Sequence, residues 1–237
     1  GTANDSCALS IDDLTAGDLV ITELMVDPDA VPDNAGEWME LYNATGDTID
    51  LDGLQLFDTD VTTKGNLVTL SGLLMVEPGE YVVLGRYGEV GINGGVSMAS
   101  TYGGTHTLGN ASDELFLSNG TDVIDSVSWD NGNTFPDPTG ASMTLNPDRL
   151  DDVNNDDGAN WCAGTSVYGD GDLGTPGSAN DACAGGGSDL AVGDLIEGDL
   201  IITEIHHNPV AVGDLRGEWI EVYNTTDEDI DINGWKL

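Results

Sequence analysis

Positive charge is nearly missing from this chain. Five Lys+Arg face 44 Asp+Glu in 237 residues, a formal net charge of −39. A field of that sign repels phosphate, so nucleic acid and anionic membrane surfaces are not expected partners. Long apolar runs are missing too. No stretch approaches the roughly 20 residues of a membrane helix, so membrane insertion is not expected. Aromatics make up only 6% of the residues, and no HExxH, GxSxG or Walker sequence occurs. Yet 39% of residues are hydrophobic and they recur at regular spacing, which argues for a packed core over disorder.

What is present is Asp, Gly and turn chemistry. Of the 44 acids, 32 are Asp and 12 are Glu, beside 33 Gly and 8 Pro. Asp tolerates helix interiors poorly and favours turns and caps. The composition points to an all-β protein with Asp-rich turns, some of which are candidate calcium loops.

The chain repeats itself. Residues 16–56 align without a gap on 197–237 at an offset of 181, with 21 of 41 positions identical. A shorter echo matches Gly1-Thr-Ala-Asn-Asp-Ser-Cys7 to Gly177-Ser-Ala-Asn-Asp-Ala-Cys183. The organisation expected is 1–7, the tail of a preceding repeat; 8–183, a whole unit; 184–196, a Gly-rich linker; and 197–237, the start of a second, incomplete repeat. One domain with decayed flanking duplications is the alternative. The same alignment makes Cys7 and Cys183 equivalent. A full unit then carries two cysteines, Cys162 and Cys183, and the partner of Cys7 lies upstream. A Cys162–Cys183 bridge closes a loop of about 20 residues, worth roughly 3 kcal/mol in the chain-entropy model, and implies an oxidising compartment. Three buried thiols are the other possibility.

The periodicity is that of strands. Leu19–Met25 is rich in β-formers. Glu37–Asn43 alternates, with Met39 and Leu41 on one face and Trp38, Glu40 and Tyr42 on the other. Further strands are expected around Ile49–Leu51, Leu54–Leu56, Leu67–Leu70, Glu80–Leu84, Glu114–Leu117 and Val123–Trp129. Pro78-Gly79, Asn119-Gly120 and Asn131-Gly132 supply turns, and no segment shows a helical period. Seven or so short strands so spaced argue for a β-sandwich.

In that order, ITE, GEWMELYN, IDLDGLQL, VEPGEYVVL, DELFLSNGTDVIDSVSW, NWCAG and GTPGSAN resemble the lamin-tail domain, in the form found in secreted and surface proteins of bacteria. The resemblance covers about residues 16–180, and 197–237 resembles the start of a second copy. It implies an immunoglobulin-like sandwich without catalytic machinery, used as an accessory or tandem module of extracellular proteins. The nuclear-lamin context does not carry over, since no coiled coil precedes the domain and no basic surface exists.

Candidate sites follow from residue chemistry. Asp152-x-Asn154-x-Asp156-Asp157-Gly158 sets side-chain oxygens at alternate positions before a Gly, as a loop wrapping a hard cation does. Asp148, Asp151, Asp170 and Asp172 add donors, so calcium is the expected cofactor; a turn in which Asp and Asn cap their own backbone is the competing reading. Asp27, Asp29 and Asp33 form a weaker candidate, because the aligned Asn208, Val210 and Asp214 do not keep the middle ligand. Glu23, Glu37 and Glu40 recur as Glu204, Glu218 and Glu221. Such repeated strand carboxylates face solvent or accept backbone donors more often than they catalyse, and no catalytic residue is assigned. His206 and His207 point to opposite faces of a strand and do not readily share a metal. Gly169-x-Gly171-x-x-Gly174 mimics a dinucleotide fingerprint without its strand and helix. Asn43, Asn110, Asn119 and Asn224 begin N-x-S/T sequons. Trp38 with Tyr42 is the one aromatic pair that could serve a glycan.

The function expected is a non-catalytic, secreted or cell-surface structural unit of a tandem-repeat adhesive or filament-forming protein. Its expected partners are copies of itself or adjacent repeats, which complete 197–237. The alternative is an accessory or ligand-binding module of a secreted hydrolase.

Overall fold

A computed structural model describes residues 8–59, 62–183, 190–191, 195–207, 218–226 and 230–231. The heptapeptide 1–7 with Cys7, most of the linker stretch 184–196, and Asn208, Val210 and Asp214 lie outside the described residues. The chain divides into two compact units, Gly1–Ala184 and Gly185–Leu237.

The first unit runs through β1 (Leu19–Met25), the one-turn α1 (Asp33–Gly36), β2 (Trp38–Asn43), β3 (Ile49–Asp50), β4 (Gln55–Asp58) and β5 (Gly65–Thr69). It continues with β6 (Met75–Val76), β7 (Tyr81–Gly85), β8 (Ser100–Thr101), β9 (Ser112–Ser118), β10 (Val123–Asp130), β11 (Met143–Leu145) and β12 (Trp161–Ala163). A six-stranded sheet, ordered β12-β11-β1-β2-β7-β8, packs on a four-stranded sheet, β10-β9-β4-β5, while β3 and β6 pair separately. This is the expected β-sandwich. The helix α1 is a departure from expectation, and its four residues are too few to show a helical period.

One apolar cluster joins the two sheets. Leu24, Met39, Leu41 and Leu84 come from the larger sheet and Leu56, Leu115, Leu117 and Val127 from the smaller. Met39 and Leu41 point inward, as their alternation requires. The outward face of the larger sheet is also covered. There Met25, Trp38, Val83 and Val96 form a second cluster, with Met98 and Tyr168 against it. Two roofing segments meet above it, Asp170 donating its N–H to the Gly94 carbonyl at 2.9 Å. Coverage on both faces explains why all seven residues of β1 are buried. It also corrects the expectation for Trp38, which is fully buried and donates Nε1–H to the Tyr168 hydroxyl at 3.1 Å. Tyr42 packs on Tyr81, with ring centroids 4.8 Å apart. Trp38 and Tyr42 therefore form no exposed aromatic face.

In the second unit, β13 (Leu190–Ala191), inside the stretch read as linker, pairs in parallel with β16 (Ile230–Asp231). Between them, β14 (Leu200–His206) and β15 (Trp219–Asn224) form an antiparallel pair. Its register repeats that of β1 and β2: Glu204 faces Glu221 as Glu23 faces Glu40, and His206 faces Trp219 as Met25 faces Trp38. Both hairpins carry an irregularity at the same place, between Ile21 and Glu23 and between Ile202 and Glu204. Asn43 Oδ1 accepts the Thr45 N–H at 2.9 Å, and Asn224 Oδ1 accepts the Thr226 N–H at 2.9 Å. Asn43 is fully buried and its Nδ2 donates to the carbonyls of Asp47 and Val76. This sequon asparagine is a strand-end cap.

Candidate functional site

The most unusual chemistry of the first unit lies where its tail crosses the outward face of the large sheet. Glu23 on β1 and Glu40 on β2 sit directly opposite one another and are fully buried. Like charges so placed are unfavourable, and with so few cations in the chain neither finds one. Among the described residues the ion pair present is Arg86 with Glu37, at 2.9 Å. Glu23 and Glu40 are instead satisfied by the strap 173–183. Glu23 Oε1 accepts the Thr175 N–H at 2.8 Å and the Ser142 hydroxyl at 2.5 Å. Glu40 Oε2 accepts the Gly177 N–H at 2.7 Å, and its Oε1 accepts the Thr22 hydroxyl at 2.8 Å. Asn180 then bridges two strands, its Nδ2 donating to the carbonyls of Thr22 and Leu145, each at 2.8 Å. The strap is fastened at its end by the Cys162–Cys183 disulfide.

The residue types of G-T-P-G-S-A-N follow from this geometry. A Cβ on Gly174 would lie 2.6 Å from both Glu23 Oε1 and Ser142 Oγ. Gly177 has φ +85°, in the left-handed region that glycine adopts without steric cost. Pro176, between two donating N–H groups, has none to satisfy.

Protons take the place of cations here. Burial pushes the Glu23 carboxyl up to about 7. Burial, with the facing Glu23 adding to it, pushes Glu40 up to about 8. The hydrogen-bond geometry agrees. The Thr175 hydroxyl lies 3.1 Å from Glu23 Oε2 and 2.9 Å from Asn180 Oδ1. One hydroxyl carries one proton and cannot donate to both. A proton on Glu23 Oε2, donated to Thr175 Oγ1, resolves the count and leaves the hydroxyl to donate to Asn180.

A third buried acid ties the sheets together. Asp125 Oδ2 accepts the Ile21 N–H at 2.6 Å and the Asn155 Nδ2–H at 2.7 Å. Burial raises its carboxyl to about 8. Sequence reading passed over Asn155, which sits between the proposed ligands Asn154 and Asp156 and is the buried member of that run.

The proposed calcium donors are not gathered. Asp148, Asp156, Asp157 and Asp170 are exposed, and Asp152 and Asn154 are half-buried. Asp157 caps the turn after it by accepting the Ala159 N–H at 3.0 Å. Asn154 donates its amide to Asp151, which accepts the Val153 and Asn154 N–H groups. Asp172 alone of the set is buried. Its Oδ1 accepts the N–H groups of Asp29 and Ala30, and its Oδ2 has no partner. Among the described residues no three His, Cys, Asp or Glu side chains come together as a metal group. Calcium takes six to eight oxygens; in this loop Asp157 uses one for its own turn, and Asn154 gives its amide to Asp151. Asp27 and Asp33 are likewise engaged, both accepting from Asn110 Nδ2.

An immunoglobulin-like β-sandwich whose distinctive interior chemistry is structural is the class that the fold and this site define. The family model of the lamin tail domain matches residues 13–131 and again 196–237, so the chain belongs to the lamin tail domain family. Strands β11 and β12 and the strap lie beyond the first matched stretch. No curated protein matches the chain. The family is compatible with a non-catalytic structural module. The disulfide fits an oxidising compartment, and among the described residues no helix is long and apolar enough to cross a membrane.

Proposed function

We propose that this chain is a section of a secreted or cell-surface protein built from tandem lamin tail domains, and that its role is structural, within an adhesive or filament-forming assembly. The observation that carries the reading is the second family match, whose hairpin repeats the register, the irregularity and the asparagine cap of the first. The closure of the first unit supports it. The end of its chain is fastened by a disulfide and by carboxylate-to-backbone bonds, an arrangement suited to a module joined end to end with others. The buried acids are occupied by the fold's own donors, so they serve cohesion. The glycan-binding alternative loses Trp38 to the core, and Tyr42 is half-buried against Tyr81.

The test is made on the native protein. Mass spectrometry of cell-surface and culture-medium fractions, alkylated before digestion, should recover the Cys162–Cys183 peptide in its oxidised form. Recovery of the protein only from cytosol, with both thiols reduced, would overturn the reading.

A further inference from the structure

The second hairpin presents the same acceptors as the first, and none of the described residues covers them. Glu204 and Glu221 are exposed, although they face each other in the register of Glu23 and Glu40. The local geometry is already set. Thr203 Oγ1 donates to Glu221 Oε1 at 2.5 Å, as Thr22 Oγ1 does to Glu40 Oε1. The Thr225 N–H meets the Asp199 carbonyl at 2.9 Å, as the Ala44 N–H meets that of Asp18 at 3.1 Å. Beside the acid pair lies an apolar hollow lined by Ile205, His206, His207, Glu218, Trp219 and Ile220. Trp219 is 45% exposed, where its counterpart Trp38 is fully buried.

We infer that this face is a docking site for a strap of the G-x-A-N-D-x-C type, and that its occupant is the segment 1–7 of a second copy of this chain. The inference rests on the tandem reading above and deepens it. Three observations select the occupant. In the first unit the equivalent acid pair is covered in part by Gly177–Cys183, through the Gly177 N–H on Glu40 and the Asn180 amide on the Thr22 carbonyl, while Val96, Met98 and Tyr168 cover Trp38. Residues 1–7 repeat that strap, with Gly1, Ala3, Asn4, Asp5 and Cys7 standing where Gly177, Ala179, Asn180, Asp181 and Cys183 stand. The strap of the first unit is itself engaged at home. Chemistry agrees with the choice. Two chains of such negative charge repel, and a strap that brings a backbone N–H to the carboxyl pair and an Asn amide to a strand carbonyl supplies attraction without a cation. Repeated from copy to copy, the contact is head to tail and heterologous, the kind that builds filaments or rings.

The experiment is an NMR titration of the isotope-labelled full chain at moderate salt, from micromolar to millimolar, beside a variant lacking residues 1–7. Amides of Thr203, Glu204 and Glu221 should shift with concentration in the full chain and stay fixed in the truncated one. Asn4→Ala should weaken the response severalfold, and an acetylated peptide with the sequence of residues 174–181 should displace it. Shifts that survive truncation would mean that hairpins pair with one another, and would overturn the assignment. A response lost on truncation but independent of concentration would place the strap on its own chain, and would overturn it as well. So would no response up to the millimolar range. None of these failures touches the disulfide and localisation test, so the two readings fall separately.

Discussion

Replacing Glu40 by Gln tests whether protons hold the strap closed. In the folded chain the Glu40 carboxyl is pushed up to about 8 from an ordinary 4.5, mainly by burial. The folded state therefore keeps a proton that the unfolded chain gives up. Stability from this group is complete below the unfolded value and is lost as pH rises through the folded one. A shift of that size corresponds to about 5 kcal/mol at full ionisation, of which about 4 kcal/mol is lost between about pH 5 and about pH 9. Glu40 is fully buried, so solvent does not screen it. For a chain of this length, that is a fall of about 10 °C in Tm across the window. Two other buried acids, Glu23 and Asp125, are raised to about 7 and about 8 and contribute stability that is lost in the same window, so the variant is read as a difference from wild type. The substituted amide keeps the fold's bonds: its oxygen accepts from the Gly177 N–H, and its NH₂ donates to Thr22 Oγ1. Calorimetry should show Glu40→Gln melting close to wild type at pH 5 and about 10 °C above it at about pH 9. Glu23 and Asp125 retain slopes of the same sign, which Glu23→Gln and Asp125→Asn in the same chain remove. A wild-type Tm that is flat or rising across the window, or a Glu40→Gln variant that falls in parallel with it, would refute the reasoning.

Other outcomes follow from the same contacts. Gly174→Ala forces a methyl against Glu23 and Ser142 and should destabilise the first unit by about 1–3 kcal/mol, read as a lower urea midpoint with an unchanged slope. Reducing Cys162–Cys183 should cost about 3 kcal/mol; hydrogen exchange at Thr175 and Gly177 should accelerate before that of β1 and β2, and uniform loss of protection would show that the strap does not open separately. Millimolar calcium should raise Tm no more than magnesium at matched ionic strength, because Asp157 and Asp172 already accept backbone N–H groups and Asp148 and Asp170 stand exposed. A calcium-specific rise would restore the acidic loop as a metal site.

The strands that fill the core were legible because alternation reports a buried face. Leu19–Met25, the Met39 and Leu41 pair, and Val123–Trp129 show it plainly. The short strands added beyond β1 were not. Met143–Leu145 and Trp161–Ala163 are three residues each, amid Asp, Asn and Gly, and exist because β1 offers an open edge: Glu23 pairs with Thr144, which pairs with Cys162. In the candidate site, the repeated Glu pair was visible but its burial was not. Its donors, Thr175 and Gly177, lie 152 and 137 residues further along the chain than the acids they serve, beyond the reach of any local pattern. The calcium donors carry a related ambiguity. Alternate oxygens before a Gly describe a self-capped turn as well as a cation loop, and only packing shows that Asn155, between two of them, is the residue turned inward.

The two copies separate what each level decides. The sequence shared by 16–56 and 197–237 is enough for the hairpin, its register, its irregularity and its asparagine cap, because these depend on backbone pairing and neighbours within a few residues. Whether the hairpin's carboxyls are exposed or buried is not in that sequence. Glu23 and Glu40 are roofed by a distant strap in a chain nearly without cations, so burial drives them to hold protons. Glu204 and Glu221 stand in the same register in open water. Burial is a property of what the rest of the chain brings to a surface, and only the tertiary structure decides it.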